Sequence, residues 1–326
     1  MFVPRRDERR NPKMLTVKLF RKISALVVAL FISLGWLAYP ASDSPVIPSD
    51  KENLQLSFVA VSDVHVMDTG VSEFNFENIF RDIENYEGKI DAAVFAGDLT
   101  ELGLKGEYDR FFNVIERQTA VENIILATGN HDVRYAYKKN KALIMSKAEE
   151  YLGIDTNGES FYKYELNGCK FVVLGTEKQI MERAYISDRQ LEFLDSELKA
   201  SAESGQVAFV VCHQPLANTH GLPEVWKTGD LGKQSQMVRD ILTKYKNVVF
   251  INGHLHDGMY ERSVETLSEN VYSVNLPTFG KSNDFGVKDK GIGYYVEVYG
   301  DKVSFHGRNF IKGSDVGVDF DLALAA

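Results

Sequence analysis

The chain has 326 residues, of which 44% are hydrophobic and 25% charged, and its formal net charge is -9. These fractions are typical of a globular protein and exclude a disordered, collagen-like or coiled-coil chain. The 2 cysteines are too few for a disulfide scaffold or a thiolate zinc cluster. The negative net charge argues against nucleic acid as the main partner.

The amino-terminal part differs from the rest of the chain in charge and hydropathy. Residues 1–22 contain eight Lys or Arg and two Asp or Glu, and the 16 residues that follow, 23–38, are apolar and uncharged. A basic segment before an apolar run is typical of a signal peptide or signal anchor, with a core helix as the alternative. The sequence thus predicts a basic cytoplasmic segment at 1–22, an anchor or signal peptide at 23–39 and a linker at 40–53. We expect the remainder to lie outside the cytoplasm, membrane-anchored or secreted.

From residue 54 onward, short apolar β-rich runs alternate with helical patterns. The predicted strands include 54–61, 92–95, 123–127, 207–212, 248–251 and 271–275. Helices are predicted near 74–86, 105–117, 137–151, 187–200 and 233–244. This alternation predicts an α/β domain with mainly parallel strands. Turn signals at Asn167-Gly168 and Gly300-Asp301 add two hairpins, so the sheets should be mixed.

Polar residues of the kind that bind metals follow nearly every predicted strand. In chain order they are Asp63, His65, Asp98, Asn130, His131, Asp132, His213, His254 and His256. Because ligands collect outside the carboxyl ends of strands in an open α/β sheet, we expect these side chains to share one crevice. Carboxylate, amide and imidazole ligands suit Mn, Fe or Zn. The ligands are too many for one catalytic ion that keeps an open position, so they predict two divalent ions.

The five motifs and their order resemble the calcineurin-like metallophosphoesterase family. They are Asp63-Val64-His65, Gly97-Asp98, Gly129-Asn130-His131-Asp132, His213 and Gly253-His254-Leu255-His256. The resemblance covers roughly residues 54–310 and is closest to the branch of class III cyclic-nucleotide phosphodiesterases. It implies a four-layer α/β/β/α sandwich with mixed sheets and a dinuclear metal centre. We therefore place a catalytic domain at 54–312 and a carboxyl-terminal tail without an assigned role at 313–326.

The resemblance also implies a role for each motif residue. The implied ligands of the first ion are Asp63, His65 and His256. The implied ligands of the second ion are Asn130, His213 and His254. Asp98 is implied to bridge the two ions, His131 resembles the family's catalytic histidine, and Asp132 is expected to hold the His131 ring in register.

The predicted reaction is hydrolysis of a phosphate ester, and we expect a phosphodiester. Two cations lower the pKa of a bridging water, so that hydroxide is available near neutral pH to attack phosphorus. His131 is predicted to stabilise the transition state or to protonate the leaving oxygen. Asn130 and His220 are predicted to contact the substrate. The alternatives are a phosphomonoesterase or nucleotidase of the same family, and a binding or scaffold protein without activity; the oligomeric state stays open.

Overall fold

A computed structural model describes residues 50–325 of the chain. Twelve strands lie in this part: β1 Leu56–Val61, β2 Ala92–Phe95, β3 Asn123–Leu126, β4 Tyr162–Leu166, β5 Cys169–Val173, β6 Val207–Val211, β7 Val248–Asn252, β8 Val264–Ser268, β9 Val271–Asn275, β10 Ile292–Val298, β11 Lys302–Asn309 and β12 Ser314–Ala323. The α-helices are α1 Gly70–Ile83, α2 Lys105–Arg117, the single turn α3 Asn130–Val133, α4 Tyr137–Leu152, α5 Asp188–Glu203 and α6 Ser235–Leu242.

The strands form two six-stranded mixed sheets, as the hairpin signals predict. The first has the order β12-β11-β10-β1-β2-β3 and the second the order β4-β5-β6-β7-β9-β8. Strands β1, β2 and β3 run parallel, as do β5, β6, β7 and β9, while every other pair is antiparallel. The β4–β5 turn has positive φ at both Asn167 and Gly168, the backbone that a two-residue hairpin turn requires.

The two sheets pack face to face, and helices cover their outer faces. Phe58 of β1 makes edge contacts with Phe171 of β5 and Phe209 of β6, at ring-centroid distances of 5.5 and 5.0 Å. Alternate residues of β5 and β6 point the other way, into a second core that they share with α5 and α6. Both faces of the central strands are therefore buried, which explains why their sequences are continuous apolar runs. This four-layer arrangement confirms the predicted fold class.

Local signals shift some element boundaries. Helix α1 begins at Gly70, four residues before the predicted start, because Thr69 accepts a hydrogen bond from the Ser72 amide at 3.4 Å and caps the helix. The carboxyl-terminal residues differ most from the predicted elements. The prediction of a tail at 313–326 is wrong. Its residues form β12, which pairs with β11 along the edge of the first sheet.

The residues after β12 link the two sheets. The Ala325 amide donates to Asn247 Oδ1 at 2.7 Å, and Asn247 Nδ2 donates to the Ala325 carbonyl at 3.1 Å. Asn247 directly precedes β7 in the second sheet. The carboxyl-terminal segment therefore completes the first sheet and ties it to the second.

The predictions for residues 1–22 and 23–39, and for most of the linker at 40–53, lie outside the described residues. Within residues 50–325, we find no helix with the length and apolar character that crossing a bilayer requires. The amino-terminal assignments stay predictions.

We expect Leu322→Ala to lower the free energy of unfolding by about 2–5 kcal/mol, as truncation of a buried leucine does. Leu322 is only 3% exposed and pairs with Val303 of β11. The measurement is chemical denaturation of both proteins. Met237→Ala, a truncation at a half-exposed position of α6, should stay within about 0.5 kcal/mol. An equally small effect at Leu322 would show that β12 contributes little to the fold.

Candidate metal centre

The carboxyl ends of strands from both sheets meet at one cleft. Asp63 and His65 follow β1, Asp98 follows β2, and α3 begins directly after the loop that leaves β3. From the second sheet, His213 follows β6, and His254 and His256 follow β7. The structure therefore brings together all seven predicted ligands, which are spread over almost two hundred positions of the chain.

A first group of ligand atoms surrounds Asp63. His256 Nε2 lies 3.2 Å from Asp63 Oδ1, and His65 Nε2 lies 3.0 Å from His256 Nε2. Asp98 Oδ2 lies 3.8 Å from His65 Nε2. These four side chains can direct one atom each to a common point, as ligands of a single cation do.

A second group shares the Asp98 carboxylate with the first. His213 Nε2 lies 3.2 Å from Asp98 Oδ2, and His254 Nδ1 lies 3.2 Å from His213 Nε2. Asn130 lies beside them in the same pocket. Its Nδ2 donates to Glu182 Oε2 at 3.1 Å, which leaves the amide oxygen as the atom available to a cation. Asp98 Oδ2 is thus the atom common to both groups.

Three of these atoms are buried without a hydrogen-bond partner among the described residues: Asp63 Oδ1, Asp98 Oδ2 and Asn130 Oδ1. The second oxygen of each aspartate is held by a backbone amide. His254 N donates to Asp63 Oδ2 at 3.0 Å, and His131 N donates to Asp98 Oδ1 at 2.8 Å. Buried polar atoms without partners are costly, and oxygen and nitrogen donors in this pattern suit divalent metal ions. The residues therefore fit the two ions expected from the sequence.

Contacts outside the centre hold its imidazoles, His213 through a hydrogen bond and His65 through an ion pair. His213 Nδ1 donates to the Ala96 carbonyl at 2.8 Å, so that Nε2 faces Asp98. His65 Nδ1 lies 3.0 Å from Glu101 Oε2, and its Nε2 faces Asp63. The hydrogen bond at His213 Nδ1 selects the tautomer whose Nε2 can bind a metal.

The charges of the centre are strongly coupled. Burial raises the pKa of both Asp63 and Asp98, but the combined attraction of the neighbouring histidines, with His213 foremost, outweighs it and holds each pKa below its usual value. Burial lowers the pKa of His213, whereas Asp98 and Asp63 raise it to about 10. Burial and the charge of His213 lower the pKa of His254 to about 3. Two ionised carboxylates in a buried site are stable only when positive charge compensates them.

The pocket above these residues has a volume of about 210 Å³. Its lining residues are Asp98, Asn130, His131, Trp226, His254, Leu255, His256 and Asp284. The Trp226 ring stacks on His254 at a centroid distance of 4.4 Å. The lining carries carboxylate, imidazole and amide groups but, among the described residues, no Lys or Arg.

Comparison with known proteins agrees with this geometry. Residues 56–258, more than half of the chain, match the family model described as calcineurin-like phosphoesterase. The chain belongs to the calcineurin-like phosphoesterase family. A Rhodococcus erythropolis protein named "Probable cyclic nucleotide phosphodiesterase" is 29% identical over 168 residues, 51% of this chain and 51% of the relative. An Arcobacter nitrofigilis protein named "Probable glycerophosphodiester phosphodiesterase GpdQ" is 24% identical over 208 residues, 61% of this chain and 71% of the relative. The chain thus spans about half the length of the first relative.

Solved structures support the family fold. A dimetal phosphatase from Danio rerio superposes with a TM-score of 0.62 at 16% identity, covering 84% of this chain and 100% of its own. The purple acid phosphatase PPD1 from yellow lupin superposes with a TM-score of 0.58 at 13% identity, covering 82% of this chain and 53% of its own. At these identities the likeness concerns the fold alone.

His131, the implied catalytic histidine of this phosphoesterase, lies at the edge of the centre. Its Nε2 is 3.9 Å from Asp98 Oδ2, and its Nδ1 is 2.6 Å from the Glu101 carbonyl. Arg134 Nη2 also approaches Nδ1, at 2.9 Å. Because the carbonyl makes the shorter contact, we assign the Nδ1 proton to it, which leaves Nε2 facing the pocket.

Asp132 does not orient His131, so that part of the prediction is wrong. Its carboxylate accepts hydrogen bonds from the Gly129 and Leu99 amides at 2.9 and 3.2 Å. The amide and hydroxyl of Thr100 donate to the same carboxylate at 3.0 Å each. Asp132 thus ties the loop after β2 to the loop after β3. Burial and the nearby Asp98 raise the pKa of Asp132 to about 7.

The prediction that His220 contacts the substrate is also wrong. His220 is only 1% exposed. Its Nδ1 donates to the Arg262 carbonyl at 2.6 Å, and its Nε2 lies 2.8 Å from Ser273 Oγ. Burial lowers the pKa of the ring to about 4. His220 therefore fixes its own loop against β9 as a neutral residue.

Sequence reasoning missed four residues of the site: Glu101, Glu182, Trp226 and Asp284. Glu101 carried a signal, because it lies three positions after Asp98 in a loop already identified by its strand end. The other three lie in loops without a motif. Their side chains come close to the centre only in the folded chain.

Two motif glycines are required by close approach of the loops. A Cβ on Gly129 would meet the carboxylate and the amide of Asp98, and a Cβ on Gly253 would meet Ser62 and Asp63. Gly129 therefore allows two loops of the first sheet to touch, and Gly253 allows a loop of the second sheet to touch one of the first. Five ligands also have left-handed backbone, with φ of 53° at Asp63, 47° at His65, 49° at Asp98, 74° at His254 and 56° at His256. Such backbone is uncommon outside glycine and typical of functional sites.

We expect Gly129→Ala to lose both metal ions, because the added methyl group displaces the shared Asp98 carboxylate. Metal content of the purified protein, measured by mass spectrometry, tests this. Gly300→Ala is the matched control, since no heavy atom lies within 4 Å of its added Cβ. Two ions per chain in a folded Gly129→Ala variant would contradict the close-approach argument.

Proposed function

We propose that this chain hydrolyses phosphodiesters with the help of two divalent metal ions. The observation that carries the proposal is Asp98 Oδ2, which belongs to both groups of ligand atoms in one open pocket. When bound, two such ions lower the pKa of water and stabilise charge on the phosphoryl oxygens. Manganese is among the metals that this ligand chemistry accepts.

The charge of the pocket favours a diester over a monoester. A phosphomonoester carries about two negative charges near neutral pH, whereas a diester carries one. Monoester recognition commonly uses Arg or Lys, and beyond the proposed metal ligands this lining holds the carboxylate of Asp284 instead. The names of the two relatives, a cyclic nucleotide and a glycerophosphodiester phosphodiesterase, support the same substrate class.

His131 is positioned to handle a proton at the pocket. Burial lowers its pKa, so the neutral ring is favoured and its protonated form is a stronger acid than usual. The Glu101 carbonyl holds Nδ1, so proton transfer takes place at Nε2. A proton held there can pass to the departing oxygen of the ester. Asn130, turned by Glu182, presents its amide oxygen to the same pocket.

The test is hydrolysis of bis(p-nitrophenyl) phosphate and of p-nitrophenyl phosphate by the Mn²⁺-loaded protein, with a chelator as control. We expect diester cleavage that the chelator abolishes. His131→Ala should keep two ions per chain but lose about 10²–10⁴-fold in kcat, the usual contribution of a general acid or base. A preference for the monoester would favour the phosphomonoesterase alternative. Two bound ions without hydrolysis of either ester would favour the binding protein.

We also propose that residues 23–39 attach the protein to a membrane, with the catalytic domain on the extracytoplasmic side. The support is the uncharged run at 23–38 directly after a basic segment. In cells that express the full chain and have lost every layer outside this membrane, added protease should digest the domain while the membrane is still intact. Recovery of the whole protein in the cytoplasmic fraction would overturn this assignment.

A further inference from the structure

We propose that Glu101 is a positioning residue that sets the affinity of only one of the two ions, the one held by Asp63, His65 and His256. The inference rests on the dinuclear centre of the proposed function. It assigns a role to a side chain outside the motifs.

Glu101 contacts two histidines through different atoms. Its Oε2 lies 3.0 Å from His65 Nδ1, and its backbone carbonyl lies 2.6 Å from His131 Nδ1. Its amide donates to the Val66 carbonyl at 3.2 Å, which fixes its backbone to the segment that carries His65. One residue therefore orients both a predicted ligand and the predicted proton donor.

Lys281 forms an ion pair with the Glu101 carboxylate. Lys281 Nζ lies 3.0 Å from Glu101 Oε1 and 2.9 Å from Oε2. The two side chains are 31% and 22% exposed, so this ion pair is shielded from solvent for most of its surface. Lys281 belongs to the loop after β9 that also carries Asp284 of the pocket. The lysine therefore limits the rotamers of Glu101 to those that meet His65.

The two halves of the centre differ in this support. A carboxylate against Nδ1 makes an imidazole a more basic ligand, and loss of such a partner commonly weakens metal binding 10–100-fold. Within residues 50–325, His213 Nδ1 has only the neutral Ala96 carbonyl as its partner. Removal of the Glu101 charge should therefore lower the affinity for one ion and leave the affinity for the other unchanged.

The experiment measures Mn²⁺ binding to the full chain by equilibrium dialysis, with wild type and Glu101→Gln compared. We expect one of two ions to bind about 10–100-fold more weakly in the variant and the other to keep its affinity. Glu116→Gln is the matched control, because Glu116 pairs with Lys147 at 2.6 Å on the α2 surface, and it should bind both ions as wild type does. Wild-type affinity for both ions in Glu101→Gln would overturn the inference.

A double-mutant comparison identifies which ion is affected. In a His213→Ala background, Glu101→Gln should still weaken binding of the ion that His65 holds. In a His65→Ala background, Glu101→Gln should cause no additional loss of metal affinity. Additive losses in both backgrounds would overturn the assignment to His65. Lys281→Met, which retains Glu101 but removes its cationic partner, should weaken binding of the same ion by a smaller factor, and an unchanged isotherm would contradict the role of the lysine. Thermal melting of the metal-free variants checks that they are folded.

These results are separate from the proposed function. If the wild type binds two ions but hydrolyses no phosphate ester, the function fails while the affinity difference still tests Glu101. If hydrolysis is observed and Glu101→Gln binds both ions normally, the function stands and the positioning role fails.

Discussion

The Asp98 carboxylate divides its two oxygens between the protein backbone and the cleft. Oδ1 accepts the His131 amide, and Oδ2 faces the imidazoles of His65 and His213. Asp63 repeats the arrangement, with Oδ2 on the His254 amide and Oδ1 left to the cleft. Each aspartate is thus located by a loop from another motif, and the unpaired oxygens define where positive charge must sit. Displacing either loop would move the ligands of both groups.

The two-sheet fold allows loops from different motifs to hold each other's ligands. Asp63 and Asp98 follow parallel strands of the first sheet, and His213 and His254 follow parallel strands of the second. Face-to-face packing through Phe58 and its partners brings both sets of strand ends to one edge. The glycines that precede the ligands remove the side chains that would keep the loops apart. The ligands therefore meet because each sheet contributes one wall of the cleft.

Much of this fold was predictable because its core strands are continuous apolar runs and its turns carry strong local signals. Strand β12 escaped prediction because an edge strand with alternating aspartates, such as Asp315 and Asp319, lacks the apolar content of a buried strand. The ligand set was predictable from strand-end motifs and the family resemblance. The roles of Asp132 and His220 were not. Neighbours in a helical turn point in different directions, and a histidine in a polar loop gives no sign of whether its ring turns inward.

The left-handed backbone of five ligands limits which replacements are informative at this centre. Asparagine and aspartate accept such dihedral angles at low cost, whereas β-branched residues do not. Exchange of His254 or His256 for valine or threonine would therefore combine loss of a ligand with local backbone distortion. Engineers who wish to change the metal preference of the cleft should draw on asparagine, aspartate and histidine, since these alter the donor atom while the main chain keeps its path.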